Sequence, residues 1–286
     1  MPTELRQVLT ADGMSLDGAF TRSDAPELSN LPVDAFLLVH GTGSNFYAAG
    51  VLESFARQAT ETGHAVLRVN TRGHDGVSSI SGTRGSVPGG AAYETISDCR
   101  HDLHAWLDDL VSLGYSRIGL VGHSMGAVKS ILTMATQPHS AVRCLVGLSP
   151  PRFHHAQLMA DSRSEAFRAD YAYAVQRVDE GRPEELMAVQ QPLPMLLTAA
   201  GFLAKYGPHD DYDVISHLPQ VSLPTLIVVG SGSVEHSPAF VNLPGAVRGI
   251  AETNECLSLE IVEGANTGYS GHLDVPFERV QRWLSR

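Results

Sequence analysis

Gly122-His123-Ser124-Met125-Gly126 spells a G-x-S-x-G motif. This spacing does chemistry through its backbone. The apolar run Ile118–Gly122 leads in as a strand, and the residues after the motif, from Met125, read as a helix. The serine therefore sits at the apex of a sharp strand-to-helix turn. Glycines on either side remove the Cβ atoms that would clash there. The hydroxyl is left exposed at a helix N-terminus, where negative charge is stabilised. Such a serine suits a nucleophile; the alternative is a Gly-rich turn with no chemistry.

The elements that must hold this serine follow from hydrophobic patterning. Apolar runs at 35–41, at the start of 65–76 before a polar loop, and at 117–122, 142–152, 223–230 and 256–264 read as strands. Tyr93, Ile96, Cys99, Leu103, Trp106, Leu110 and Leu113 recur at helical spacing and end at Gly114. A further helix follows 35–41 and stops near Gly63, and another closes the chain with Asp274 as its N-cap. Residues 6–20 read as a hairpin turning at Asp12-Gly13. Strands alternating with helices imply a parallel sheet covered on both faces. The alternation breaks at 153–216, a stretch helical in composition with no strand of note. The expected organisation is a core of residues 1–152 and 217–286, with 153–216 as a helical cap over the carboxyl edge of the sheet, where ligands bind. Leu158, Phe167, Met195, Leu196 and Phe202 are among the apolar residues expected to line a hydrophobic pocket beneath that cap.

Composition excludes several function classes. Hydrophobic residues make up 43% and charged residues 18% of 286, ordinary for a soluble domain. Net charge is −11 with no basic block, which argues against nucleic acid or an anionic membrane as partner. Cys99, Cys144 and Cys256 are odd in number and lack metal-ligand spacing, so no disulfide framework or metal is expected, and a cytoplasmic setting is. The polar N-terminus is unlike a signal peptide, and no apolar run approaches a membrane span. No dinucleotide fingerprint or other cofactor motif is present.

His40-Gly41-Thr42-Gly43 after the first buried strand, Asn70–Gly76 after the next, the Ser124 motif and a terminal strand-loop-helix ending Arg282-Trp283-Leu284 together resemble the α/β-hydrolase superfamily over nearly the whole chain. The resemblance implies an α/β-hydrolase fold with an eight-stranded, mostly parallel sheet, a Ser-His-acid triad and an acyl or related substrate. It also implies an oxyanion hole built from the backbone N–H groups of Thr42 and Met125. Acyl transfer builds negative charge on a carbonyl oxygen, and one such donor is worth roughly 2.7–4 kcal/mol in the transition state.

The other two triad positions depart from the family pattern. The acid slot, beyond Gly230, holds Ser233, with Glu235 as a longer carboxylate able to reach back and Asp161 as a more remote substitute. Glu235 also reads as a solvated loop residue. The histidine slot, after Gly264-Ala265, holds Thr267. Threonine cannot act as a base near neutral pH, whereas imidazole can. His272 is the nearest histidine in sequence. Gly268 and Gly271 give its loop the freedom to fold back. His40 and His123 belong to the turn motifs, where ring packing and supporting hydrogen bonds are expected, and count with Thr267 and Ser233 as pocket candidates. His74, His154, His155 and His236 are more distant candidates.

Three functions fit. The first is a serine hydrolase of an ester, thioester or lactone, using Ser124 with His272 and Glu235 as a rearranged base and acid. The second is a lyase, cyclase or isomerase on the same fold that polarises a carbonyl without acyl transfer. The third is a catalytically silent binding protein. Each takes a small, fairly apolar carbonyl compound as partner.

Overall fold

Strands buried on both faces must be apolar throughout, and the central strands of this protein are. In the computed structural model, which describes residues 2–286, β1 (Thr3–Leu9) and β2 (Ser15–Thr21) form the expected hairpin, with Gly13 at φ 90° in its turn. Then follow β3 (Ala35–Val39), α1 (Val51–Glu61), β4 (Ala65–Val69), and a small hairpin of β5 (Ser78–Gly82) and β6 (Gly85–Gly89). Next come α2 (Cys99–Ser112), β7 (Ile118–His123), α3 (Met125–Thr136) and β8 (Val142–Leu148). The 153–216 stretch holds α4 (His155–Ala160), α5 (Glu165–Asp179), the hairpin β9 (Leu186–Val189) and β10 (Met195–Thr198), α6 (Ala199–Tyr206) and α7 (Val214–His217). The chain ends with β11 (Thr225–Gly230), α8 (Ser231–His236), α9 (Leu243–Ala251), β12 (Leu257–Val262) and α10 (Val275–Leu284).

Eight strands form one sheet in the order β1-β2-β4-β3-β7-β8-β11-β12. β2 is antiparallel to both neighbours, and every later pair in that order is parallel. The chain steps outward from β3 to β4, then crosses back to β7 and on toward β12. That reversal opens a crevice at the carboxyl ends of β3 and β7, the usual ligand position in an open α/β sheet. The loops carrying Gly41-Thr42 and Ser124 leave the sheet there.

Alternation along the strands splits the core in two. Leu37 and Val39 join a cluster with Trp106 of α2, Val128 of α3 and the 153–216 stretch. Phe36 and Leu38 face the other way, onto Phe55 of α1 and Phe277 of α10.

The 153–216 stretch departs from the all-helical expectation through β9 and β10. Its aromatics also differ in role. Phe153, Phe167, Phe202 and Tyr206 pack on one another with ring centroids 5.0–6.1 Å apart and join the main core. Large rings gain most when fully buried, so they join the 153–216 stretch to the main core instead of lining a pocket.

Candidate active site

Ser124 has φ 52° and ψ −119°, a left-handed conformation that costs a non-glycine residue about 1–3 kcal/mol. The surroundings hold it there. Its N–H donates to the Leu148 carbonyl at 2.8 Å, and its carbonyl accepts from the Ala127 N–H at 2.9 Å. The flanking glycines are required by close approach. A Cβ on Gly122 would strike the Gly126 carbonyl, and one on Gly126 would strike the carbonyls of Val39 and His40. Among the described residues the Ser124 hydroxyl makes no hydrogen bond. It faces a cavity of 290 Å³ shared with Thr42, Asn45, His123, Leu193 and Thr267.

Thr42 borders this cavity at the end of β3, and Met125 opens α3. The first N–H groups of a helix have no intrahelical acceptor. Among the described residues, neither the Thr42 nor the Met125 N–H is committed to an acceptor. His40 lies beneath the Thr42 loop. Its Nε2 accepts the Thr71 N–H at 3.1 Å, so Nδ1 carries the proton and donates to the Gly41 carbonyl at 2.7 Å. Complete burial, with the Lys129 ammonium nearby, pushes its pKa down to about 3 and keeps the ring neutral. His40 does not line the cavity; it braces the loop that does.

The two residues that sequence spacing put in the acid and histidine slots meet each other. The Ser233 and Thr267 hydroxyls lie 3.0 Å apart, and the Thr267 carbonyl accepts a hydrogen bond from His123 Nε2 at 2.7 Å. The structure does not bring His272 or Glu235 to Ser124. Tyr269, fully buried at φ 55°, donates its hydroxyl to the Val228 carbonyl and accepts from Ser149. That anchor pins the loop into the core two residues after Thr267. The chain then turns directly into α10, with the His272 N–H on the Tyr269 carbonyl at 2.7 Å. The His272 ring is left beside the Ser270 carbonyl, outside the cavity. Glu235 sits on α8 with its side chain 74% exposed beside His236. Asp161 is held by Arg163, whose guanidinium lowers its pKa to about 2. His74 pairs with Asp75 at 2.9 Å but borders neither this cavity nor the next.

A second, more open cavity of 490 Å³ meets the first at Thr42 and Leu193. Gly43, Val77, Pro194, Met195 and Leu196 complete much of its wall. The 153–216 stretch therefore borders the Ser124 cavity through the β9–β10 turn. Leu193 is the residue that sequence patterning misses; its only signal is the proline on each side of it in a polar-to-apolar run.

Among the described residues, no cluster of His, Cys, Asp and Glu could hold a metal ion, and no helix is long and apolar enough to cross a membrane. No curated protein matches the chain in sequence. Solved structures of similar fold include the α/β hydrolase GrgF from Penicillium sp. sh18, 14% identical with TM-score 0.67, covering 100% of this chain and 99% of that one. Est1E from Butyrivibrio proteoclasticus, with ferulic acid bound, is 15% identical with TM-score 0.66, covering 98% and 97%. The Pyrococcus furiosus esterase is 17% identical with TM-score 0.63, covering 100% and 90%. At such identities these structures establish a shared fold. The profile of the alpha/beta hydrolase family matches residues 36–283, from the second residue of β3 to within α10. A match over that span takes in the whole sheet except its β1–β2 hairpin, and it makes the chain a member of the alpha/beta hydrolase family.

Proposed function

We propose that the protein hydrolyses an ester, thioester or lactone through Ser124, with the carbonyl oxygen held by the N–H groups of Thr42 and Met125. The observation that carries this is the unpartnered Ser124 hydroxyl, held at positive φ and facing a cavity bordered by Thr42. A protein does not keep a strained backbone at a pocket without compensation from its surroundings, and strain of this kind clusters at active sites. The second cavity, walled by Leu193, Pro194, Met195 and Leu196, suits an apolar arm of the substrate. Fold relatives named as esterases, one holding ferulic acid, support the same substrate chemistry. The test is fluorophosphonate labelling together with turnover of p-nitrophenyl butyrate. Labelling and turnover that both vanish in Ser124→Ala support the proposal; a wild type that does neither sinks it.

One observation favours a second reading. The acid and histidine slots hold hydroxyls bonded to each other, not a charge relay. Under that reading Ser124 and the two N–H groups polarise a carbonyl for a lyase, cyclase or isomerase reaction. Binding of a carbonyl ligand without labelling of Ser124 separates the two.

A further inference from the structure

We infer that His123, the residue just before the nucleophile, is the base that serves Ser124. The inference rests on the serine-hydrolase reading. A carbonyl oxygen can only accept, so the 2.7 Å contact from His123 Nε2 to the Thr267 carbonyl places the ring proton on Nε2. The neutral ring therefore carries its lone pair on Nδ1. That nitrogen is unpartnered among the described residues, and His123 lines the same cavity as Ser124. Gly41 shows how close the two groups lie. A Cβ built there would sit 3.1 Å from Ser124 Cβ and 3.5 Å from His123 Nδ1. The missing side chain leaves a space that both groups flank, and in the proposed step the serine proton crosses it directly or through one water. The Thr267 carbonyl fixes the tautomer, as a carboxylate does in the usual triad.

The step balances with water alone. Ser124 Oγ bonds to the substrate carbonyl carbon while its proton moves to His123 Nδ1 and the electron pair moves to the carbonyl oxygen. Collapse expels the alcohol or thiol, which takes the proton from Nδ1. Water then attacks the acyl-enzyme, giving a proton to Nδ1, and Ser124 leaves with that proton.

The ring's surroundings define its pH response. Tyr269 lies 6.4 Å away between ring centroids, with a phenol that burial keeps protonated. The cavity lining around the ring carries the neutral hydroxyls of Ser124 and Thr267 and no charged side chain. Burial lowers the His123 pKa from 6.5, so the neutral base is present at pH 7 and is lost as pH falls through that lowered value.

The experiment measures p-nitrophenyl butyrate turnover against pH for wild type, Ser124→Ala, His123→Gln and His74→Gln. Glutamine keeps a donor for the Thr267 carbonyl but has no basic atom at the Nδ1 position. Expected are a wild-type kcat with an acid limb below pH 6.5 and a loss of about 10²- to 10⁴-fold in His123→Gln with little change in KM. The acid limb should disappear in that variant, and His74→Gln should behave as wild type. Added imidazole should partly restore His123→Ala. Wild-type activity lost in Ser124→Ala but kept in His123→Gln overturns the base assignment alone. Should His123→Gln fail to fold, a wild-type profile without an acid limb overturns it instead. No wild-type turnover at all removes the parent reading and this one with it.

Discussion

Thr267, which the proposed function places in the histidine slot, turns its hydroxyl to Ser233. Under the proposed function, restoring both partners should supply a conventional relay to Ser124. Thr267→His with Ser233→Asp is expected to raise ester turnover by about tenfold or more and to keep it in a His123→Gln background. Steady-state rates of the three variants check this; a triple variant that folds and stays at the His123→Gln level would count against Thr267 and Ser233 as the relay positions. His272→Ala, by contrast, should leave kcat within about twofold, because its ring lies outside the cavity. The difference between these residues was not legible from spacing. His272 is the nearest histidine along the chain, and only the buried Tyr269 anchor decides that the loop turns away from Ser124.

At the scale of elements, the crossing of α3 over the end of β3 needs a bare backbone at Gly126. Its Cβ would meet the Val39 and His40 carbonyls, which belong to the sheet edge and cannot yield as a flexible side chain does. Gly126→Ala should destabilise the protein by roughly 1–3 kcal/mol and disturb the Thr42 loop. Chemical denaturation and labelling of Ser124 would show both effects together. The β9–β10 hairpin makes a separate prediction about substrate choice. Leu193→Ala removes apolar surface worth about 1–2 kcal/mol. It should raise KM for hexanoate esters about 5- to 30-fold and leave acetate esters nearly unchanged. A KM unchanged across that chain-length series would remove the hairpin from the substrate site. The long central strands and the terminal helix are readable because one apolar pattern fixes each. β9 and β10 have four residues each, too few to distinguish a strand's period from a helix's.

The whole molecule carries buried charge next to the loop that leads to the Ser124 cavity. Glu94 lies between Lys129 at 2.5 Å and Lys205 at 3.3 Å, all three buried, and Lys129 also donates to Thr71, the residue that caps His40. Glu94→Gln leaves two ammonium groups without their counter-charge and should cost about 3–5 kcal/mol in urea unfolding. Acid sensitivity has two stages. His40 is held neutral with a pKa of about 3, below its ordinary 6.5, so the unfolded chain takes up a proton first as pH falls. Its contribution is fully present above 6.5 and declines as pH drops toward 3, by about 2 kcal/mol at pH 5. Glu94, with a pKa lowered to about 2 despite burial by the two lysines, adds a second loss between its ordinary 4.5 and 2. Unfolding free energies at pH 7.5, 5.5 and 4 check the order of these stages. Equal stability at pH 7.5 and 5.5 would rule out the histidine stage.

Sequence by itself determined the sheet and the tight turn that carries Ser124. Apolar strands in alternation with helices leave few parallel arrangements, and the spacing of Gly122 and Gly126 around Ser124 is a local steric requirement that survives without the rest of the chain. Only the tertiary structure decided which groups surround that serine. Which histidine faces Ser124 depends on where two loops, more than a hundred residues apart in sequence, come to rest. Those positions are set by buried anchors, Tyr269 on the Val228 carbonyl and His40 on Gly41, and by the Thr267 carbonyl that orients His123. Backbone carbonyls do this work. Every residue has one, so residue types in a sequence do not reveal which of them a fold will aim at a ring.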